Sequence, residues 1–283
     1  MGDCILGKKR RIIAIGDLHG DYQLTINCLK VAGVINKDFK WCGNDTIVIQ
    51  IGDQVDRGGR YDTYGDENSD IKIIRFFDKL HKEAKIVGGG VYSLIGNHEL
   101  MNVMGKFQYT SKSGIDKNGG EIGRKKIFEP GSNLSKILSK RFAIMKVGSW
   151  IFVHGGIIPS LANTYNIKYI NNLLQEFLLG NKQLIHNKDF KKLFINSNSL
   201  LWNRTFSSRN PSSKKLFNSL KALNSDFMVV GHTPQIEGIN SKCKNRIWRI
   251  DTAMSYAFGQ NSHNRLQILE ILNNGKNINI LTV

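Results

Sequence analysis

Five times along this chain a short apolar, β-branched run stops at or beside a glycine and gives way at once to polar residues. Ile12–Ile15 leads into Gly16-Asp17-Leu18-His19-Gly20, and Ile47–Ile51 into Gly52-Asp53-Gln54-Val55-Asp56-Arg57-Gly58. Val91–Ile95 leads into Gly96-Asn97-His98-Glu99, Ile151–Val153 into His154-Gly155-Gly156, and Phe227–Val230 into Gly231-His232-Thr233. Each run has the length of a strand buried on both faces. Between them, Leu24, Cys28, Val31 and Ala32 share one helical face after Asp21, an acceptable N-cap. Ile71, Ile74, Phe77, Leu80 and Ala84 share another after Ser69-Asp70. Strand, loop, helix, strand predicts an α/β fold, whose sites collect beyond the carboxyl ends of the strands.

The rest of the chain is organised around that frame. Arg246–Ile250, Arg265–Ile271 and Ile278–Val283 read as successive strands joined by Gly/Asn turns, expected to form a second sheet packed on the first. Residues 105–140, rich in Gly, Lys and Ser, are expected as a long surface excursion, and residues 160–222 as a mostly helical insertion. With no internal repeat and only four prolines, residues 1–283 are expected to make one domain.

Composition narrows the function classes. The 283 residues, 41% of them hydrophobic, can fill a core, and 22% charged residues exclude wholesale disorder. No apolar run approaches the roughly 18 residues of a membrane helix. Basic Lys8–Arg11 precedes only four apolar residues, unlike a signal peptide, and Leu6 stands where myristoylation after Met1-Gly2 needs Ser or Thr. Scattered Cys4, Cys28, Cys42 and Cys243, with no C-x-x-C pair, read as reduced thiols of a cytoplasmic protein. A net charge of +17 favours polyanionic partners such as nucleic acid. The excess is nevertheless mostly Lys, in short runs far apart, as compositional drift would also produce.

The polar residues at the five strand ends offer six oxygen and nitrogen donors: Asp17, His19, Asp53, Asn97, His154 and His232. That set suits manganese, iron or zinc, and its size suits two divalent ions sharing one carboxylate. Any one of these residues alone would read as an ordinary loop residue. Four of the seven histidines (His19, His98, His154 and His232) fall directly beyond strand ends, which loop composition does not explain. His81, His186 and His263 lie elsewhere and carry no such reading.

These ordered motifs, from about Ile12 to Thr233, resemble those of the calcineurin-like metallophosphoesterases. The Asp56-Arg57-Gly58 and His154-Gly155-Gly156 forms look like the phosphoprotein phosphatase class. Asn97–Asn102 and Leu201-Trp202-Asn203-Arg204 look closest to the Shewanella-like phosphatases and relatives in large DNA viruses. The resemblance implies a four-layer α/β/β/α sandwich with a dimetal site at the carboxyl ends of the strands. It implies that Asp17, His19 and Asp53 hold one metal, and that Asp53 bridges to a second held by Asn97, His154 and His232. Three places depart from relatives: Pro234 stands where many members have a second His, Ile95 where phosphoprotein phosphatases commonly have a basic residue, and Ser199-Leu200 where an Asp sometimes precedes the Leu-Trp segment.

The implied chemistry is a metal-dependent phosphomonoesterase, expected to act on phosphorylated protein at Ser/Thr or Tyr. A water bridging two cations loses its proton near neutral pH and would attack phosphorus in line. Arg57 and Arg204 are candidates to grip the phosphoryl oxygens, and His98, oriented by Asp56, to protonate the leaving group. Asp21 and Glu99 are candidates to fix imidazoles from behind, or simple helix caps. A bis(nucleosyl)-tetraphosphatase or nucleic-acid phosphodiesterase is the alternative, and a non-catalytic polyanion-binding module the remote one. The expected place of action is the cytoplasm, or host cytoplasm or virion for a viral chain.

Overall fold

The computed structural model describes residues 3–60 and 63–282. Met1-Gly2 and Val283, the expected end of the last strand, lie outside the described residues. The strands are β1 (Ile5–Leu6), β2 (Arg11–Ile15), β3 (Ile47–Gln50), β4 (Gly90–Ser93), β5 (Ile144–Val147) and β6 (Trp150–Val153), then β7 (Phe227–Val230), β8 (Asn240–Lys242), β9 (Ile247–Arg249), β10 (Gln267–Leu272) and β11 (Asn277–Thr282). Two sheets result. One has the order β11-β10-β2-β3-β4, the other β1-β5-β6-β7-β9-β8. β2, β3 and β4 run parallel, with Ala14 beside Ile49 and Ile49 beside Tyr92, and β6, β7 and β9 run parallel in the other sheet.

Alternation along β2 shows how the layers stack. Ile12 and Ala14 belong to the large core that also holds Ile151, Met228 and Val230 of the second sheet. Ile13 and Ile15 point the other way, into a core shared with helices α1 (Tyr22–Val31) and α2 (Asp70–Ile86). A strand buried on both faces needs no polar alternation, which is why these runs are continuously apolar. Asp21 caps α1 by accepting from the Leu24 amide. Helix α3 (Asn97–Val103) starts directly after β4. The far side of the second sheet is covered by α7 (Pro159–Thr164), α8 (Ile167–Leu178) and α10 (Ser213–Ala222), with a short α9 (Lys188–Phe190) among them. The architecture is the four-layer α/β/β/α sandwich.

Two expectations change. The stretch 105–140 folds into α4 (Lys112–Asp116), α5 (Gly120–Phe128) and α6 (Asn133–Leu138). Phe128 and Leu138 are fully buried in the large core, and Arg124 is buried beside the site, so this largely surface segment is helical and anchored in the core. Ser111 and Ser132 start two of these helices as N-caps. The last strands also divide differently. β9 joins the second sheet beside β7, but β10 and β11 extend the first, with β10 antiparallel to β2. Ile268 and Leu269 explain the choice: at that edge one faces the helices and the other the space between the sheets.

Candidate metal centre

The five polar clusters meet at the carboxyl ends of both sheets. Asp53 sits at the centre, directly after β3, with φ at 55°. Its strained loop is held by Glu99, which accepts from the amides of Asp53 (2.9 Å), Gln54 (2.7 Å) and Gly96 (2.8 Å). Glu99 therefore fixes a backbone rather than an imidazole. The first loop is tied to the same place, since the amides of Leu18 and His19 both donate to the Asp53 carbonyl. Gly96 allows a close approach: a Cβ there would stand 2.2 Å from Asp53 Oδ1.

Donor atoms of Asp53, His154 and His232 lie within 4.8 Å of one another, and so do those of His19, Asp53 and His98; all five residues are buried. His154 Nδ1 lies 3.1 Å from the Ile51 carbonyl, which fixes the tautomer with Nδ1 protonated. Its Nε2 then faces Asn97 Oδ1 at 2.9 Å and Asp53 Oδ2 at 3.3 Å. His19 repeats the arrangement, with Nδ1 3.3 Å from the Val55 carbonyl. Asp17 Oδ2 accepts from the His232 amide at 3.1 Å. Asp17 Oδ1 and His232 Nε2 are buried with no hydrogen-bond partner.

Those two orphaned atoms decide whether the residues fit a metal. A buried carboxylate oxygen and a buried imidazole nitrogen without partners are costly unless a cation meets them. The charges agree. Burial, then Asp251 and Asp53, push the Asp17 pKa well above the carboxylate range. Burial and the neighbouring His154 push His232 down to about 2. Asp53, by contrast, despite its burial is held well below the carboxylate range by the neighbouring His154 and His98, so the cluster pairs an ionised central carboxylate with the neutral imidazole of His232. The site fits two divalent cations.

His98 and Asp56 form a separate unit on the same rim. His98 Nδ1 lies 2.9 Å from Asp56 Oδ2, and Nε2 lies 3.8 Å from Asp53 Oδ2. Burial opposes protonation of His98, but the charge of Asp53 and the Asp56 hydrogen bond outweigh it and raise the pKa. Asp56 also accepts from Asn102 Nδ2 and Thr110 Oγ1, and Arg124 pairs with it and with Asp70. Arg124 and Thr110 are neighbours of this unit that local sequence reading misses, since their contacts join distant segments. Burial pushes the Asp251 pKa up to about 6.

The two expected arginines separate. Arg204 Nη1 donates to the His232 carbonyl and to Thr233 Oγ1, both at 2.8 Å, and so borders the cluster. Arg57 has other partners: its Nη2 lies 3.4 Å from Asp21 Oδ2, its Nη1 3.7 Å from Glu67, and its guanidinium lies over the Tyr256 ring. None of these belongs to the six donors. Asp21 accepts from His263 Nε2 as well, so it joins a helix cap to Arg57 and His263. Arg60, which the sequence reading passes over, reaches His19 instead.

A two-sheet sandwich with two clusters of buried oxygen and nitrogen donors at its strand ends is a protein built to hold metal ions at one face. The chain belongs to the calcineurin-like phosphoesterase family, whose profile matches residues 10–236. It is 34% identical to a protein of Acanthamoeba polyphaga mimivirus, over 70% of this chain and 93% of that one. It is 30% identical to Shewanella-like protein phosphatase 2 of Arabidopsis thaliana, over 88% of this chain and 72% of the relative. Among solved structures, a cold-active protein-tyrosine phosphatase of a psychrophilic Shewanella superposes with a TM-score of 0.84 at 22% identity, covering 100% of this chain and 83% of that one. Among the described residues no helix is long and apolar enough to cross a membrane.

Proposed function

We propose that this chain hydrolyses phosphomonoesters on proteins, with Asp17, His19 and Asp53 holding one divalent ion and Asp53, Asn97, His154 and His232 the other. The observation that carries the reading is the pair of buried atoms without a hydrogen-bond partner, Asp17 Oδ1 and His232 Nε2, on two of these six residues. When bound, the two cations would neutralise phosphoryl charge and make water acidic enough to react near neutral pH. Manganese is the proposed pair, with iron or zinc compatible with the same donors. The likeness to protein phosphatases of the Shewanella-like type supports phosphoprotein as the substrate class.

The chain's own residues then divide the work. Asp56 holds His98 with its Nδ1 proton inward, leaving Nε2 on the cluster side to give a proton to the departing side-chain oxygen. Arg204 holds the His232 loop by its carbonyl, which steadies a donor at the cluster's edge. Three aromatic rings rim the cluster: Tyr109 beside His98, Phe258 beside His19 and Trp202 beside His232.

Purified protein assayed with manganese, iron, zinc and magnesium against phosphoserine, phosphothreonine and phosphotyrosine peptides, diadenosine tetraphosphate and short RNA tests this. Phosphopeptide turnover that chelation abolishes and manganese restores is expected. Preference for diadenosine tetraphosphate or RNA would replace the substrate class, and no turnover with any metal would remove the enzyme reading for this chain.

A further inference from the structure

Beside β4, the edge strand of the first sheet, lies a cavity of about 360 Å³. Phe77 and His81 of α2, Tyr92 and Ser93 of β4, and Arg141 and Phe142 ahead of β5 line it, and none of the six donors does. Cavities that hold small molecules run from roughly 300 to 1,000 Å³.

One end of the cavity is cationic. Arg141 is 8% exposed, and burial pushes its pKa down to about 10, so it keeps its charge at neutral pH. Its Nη1 donates to Gln54 Oε1 at 2.6 Å and its Nη2 to the Ile74 carbonyl at 3.3 Å. Both acceptors are neutral. No carboxylate pairs with Arg141 among the described residues, whereas the buried Arg124 has two. The charges of Glu99 and Asp78 reach it only from a distance, and both are engaged elsewhere. Glu99 accepts from three backbone amides, and Asp78 lies 3.0 Å from Lys82 and 4.0 Å from Lys140. A guanidinium can only donate, so Gln54 turns its oxygen to Arg141 and its Nε2 to Ser93 Oγ, at 2.9 Å. The Ser93 oxygen therefore accepts from Gln54, and its own proton has no acceptor among the described residues. A buried cation beside a free hydroxyl donor makes a seat for an anion.

The rest of the wall is aromatic. Tyr92 stacks on Phe142 with centroids 6.4 Å apart, and the His81 ring meets Tyr92 edge-on. His81 Nδ1 is engaged by the Val91 carbonyl, and burial holds the ring neutral, so it adds no second cation. A single guanidinium with one hydroxyl matches a planar monoanion better than a phosphate dianion. We propose that this cavity binds a small aromatic carboxylate, with its anionic end on Arg141 and Ser93 and its ring against Phe77, Tyr92 and Phe142. The site is independent of the phosphomonoesterase reading.

Calorimetry on the manganese-loaded full chain tests this with phenylpropionate, its neutral amide and acetate, each with and without saturating inorganic phosphate. Phenylpropionate is expected to bind with a Kd below about 1 mM, and the amide and acetate at least tenfold more weakly. Arg141→Gln should weaken phenylpropionate at least tenfold, and Ser93→Ala by a smaller factor. Where Arg141→Gln does not fold, Ile137→Trp, which fills the cavity from its lining, carries the same tenfold expectation. No binding to the wild type, or equal binding to the wild type and these folded variants, would overturn the assignment. Equal affinity for the acid and its amide would also overturn it, because the cavity would then be an apolar slot without an anion seat. Displacement of phenylpropionate by phosphate would move the acid to the metal centre and refute the site. A chain without phosphatase turnover that still binds phenylpropionate through Arg141 would sustain this site while the phosphomonoesterase reading falls.

Discussion

The carboxyl ends of the strands and the turns away from them both contain non-glycine residues in the left-handed region, but of different kinds. In the turns these are Asn44, Asn68, Asn224, Asn245, Asn273 and Asn274, with Phe39 and, in one tight connection, Cys243 and Lys244. Asparagine tolerates that conformation, so the backbone there is locally content. Around the donor cluster they are His19, Asp53, Asp56, His232 and Ala253. There the side chain is dictated by what it must face, and the conformation has to be imposed by neighbours. The Glu99 carboxylate gripping three amides, and the Asp56 carboxylate gripped by Asn102, Thr110 and Arg124, are the devices that impose it. Strain at the front is thus maintained by buried polar contacts, while the rear turns rely mostly on asparagine.

The largest break at the front is Asp53→Asn. It keeps shape but removes the charge shared by both triads of donors. The metals contribute several kcal/mol of charge stabilisation, so turnover should fall by about a thousandfold or more. Metal stoichiometry by mass spectrometry should fall with it; full activity in this variant would refute a shared carboxylate. Next comes His98→Asn, which spares the six donors and removes the proposed proton donor. Rates on phosphopeptides should drop by about a hundredfold to ten-thousandfold, and on p-nitrophenyl phosphate far less, because its leaving group needs no proton. Equal losses on both substrates would remove His98 from that role.

Gly231→Ala probes the packing of the front more gently. The new Cβ would stand 2.4 Å from Asp17 Oδ1 and 2.7 Å from Ile51 Cγ2. Overpacking of this kind costs about 1–3 kcal/mol, and here it also displaces a donor. The expected outcome is a lower melting temperature together with weaker metal retention in a chelator titration. Destabilisation with normal metal retention would show that Asp17 yields without leaving its place.

Much of the front was legible because its residues are local to strand ends. An apolar run, a glycine and a donor are adjacent in sequence, so the strand's position fixes the donor's. That is why the sequence alone places Asp17, Asp53, Asn97, His154 and His232 beyond the carboxyl ends of strands. What joins distant segments was not legible. Arg124 lies in a Gly- and Lys-rich stretch, and its pairing with Asp56 and Asp70 spans 68 and 54 positions. Arg60 follows the Arg57 motif by three residues, and only the two glycines before it signal an unusual backbone. The edge chosen by β10 depends on which sheet offers a two-sided apolar slot, which short strands do not specify.

His81 provides the smallest effect and the sharpest control, since it titrates far from the donors. It lies on α2 and its Nδ1 donates to the Val91 carbonyl of β4 at 2.8 Å. Burial lowers its pKa below the usual histidine value, with the Val91 bond only partly offsetting that. A lowered folded pKa means the neutral form is favoured in the fold. Its contribution to stability is therefore complete above the unfolded value of about 6.5 and is lost as the pH falls through the folded pKa. His81→Asn keeps a donor for Val91 and removes the titration. The melting temperature of the variant should fall less steeply between about pH 6.5 and 5 than that of the wild type. The difference should stay well under about 1 kcal/mol, because the ring is partly solvated. Phosphatase turnover at pH 7.5 should not change; a loss there would mean that the rear of the sheet communicates with the donors, and the division between the two ends would fail.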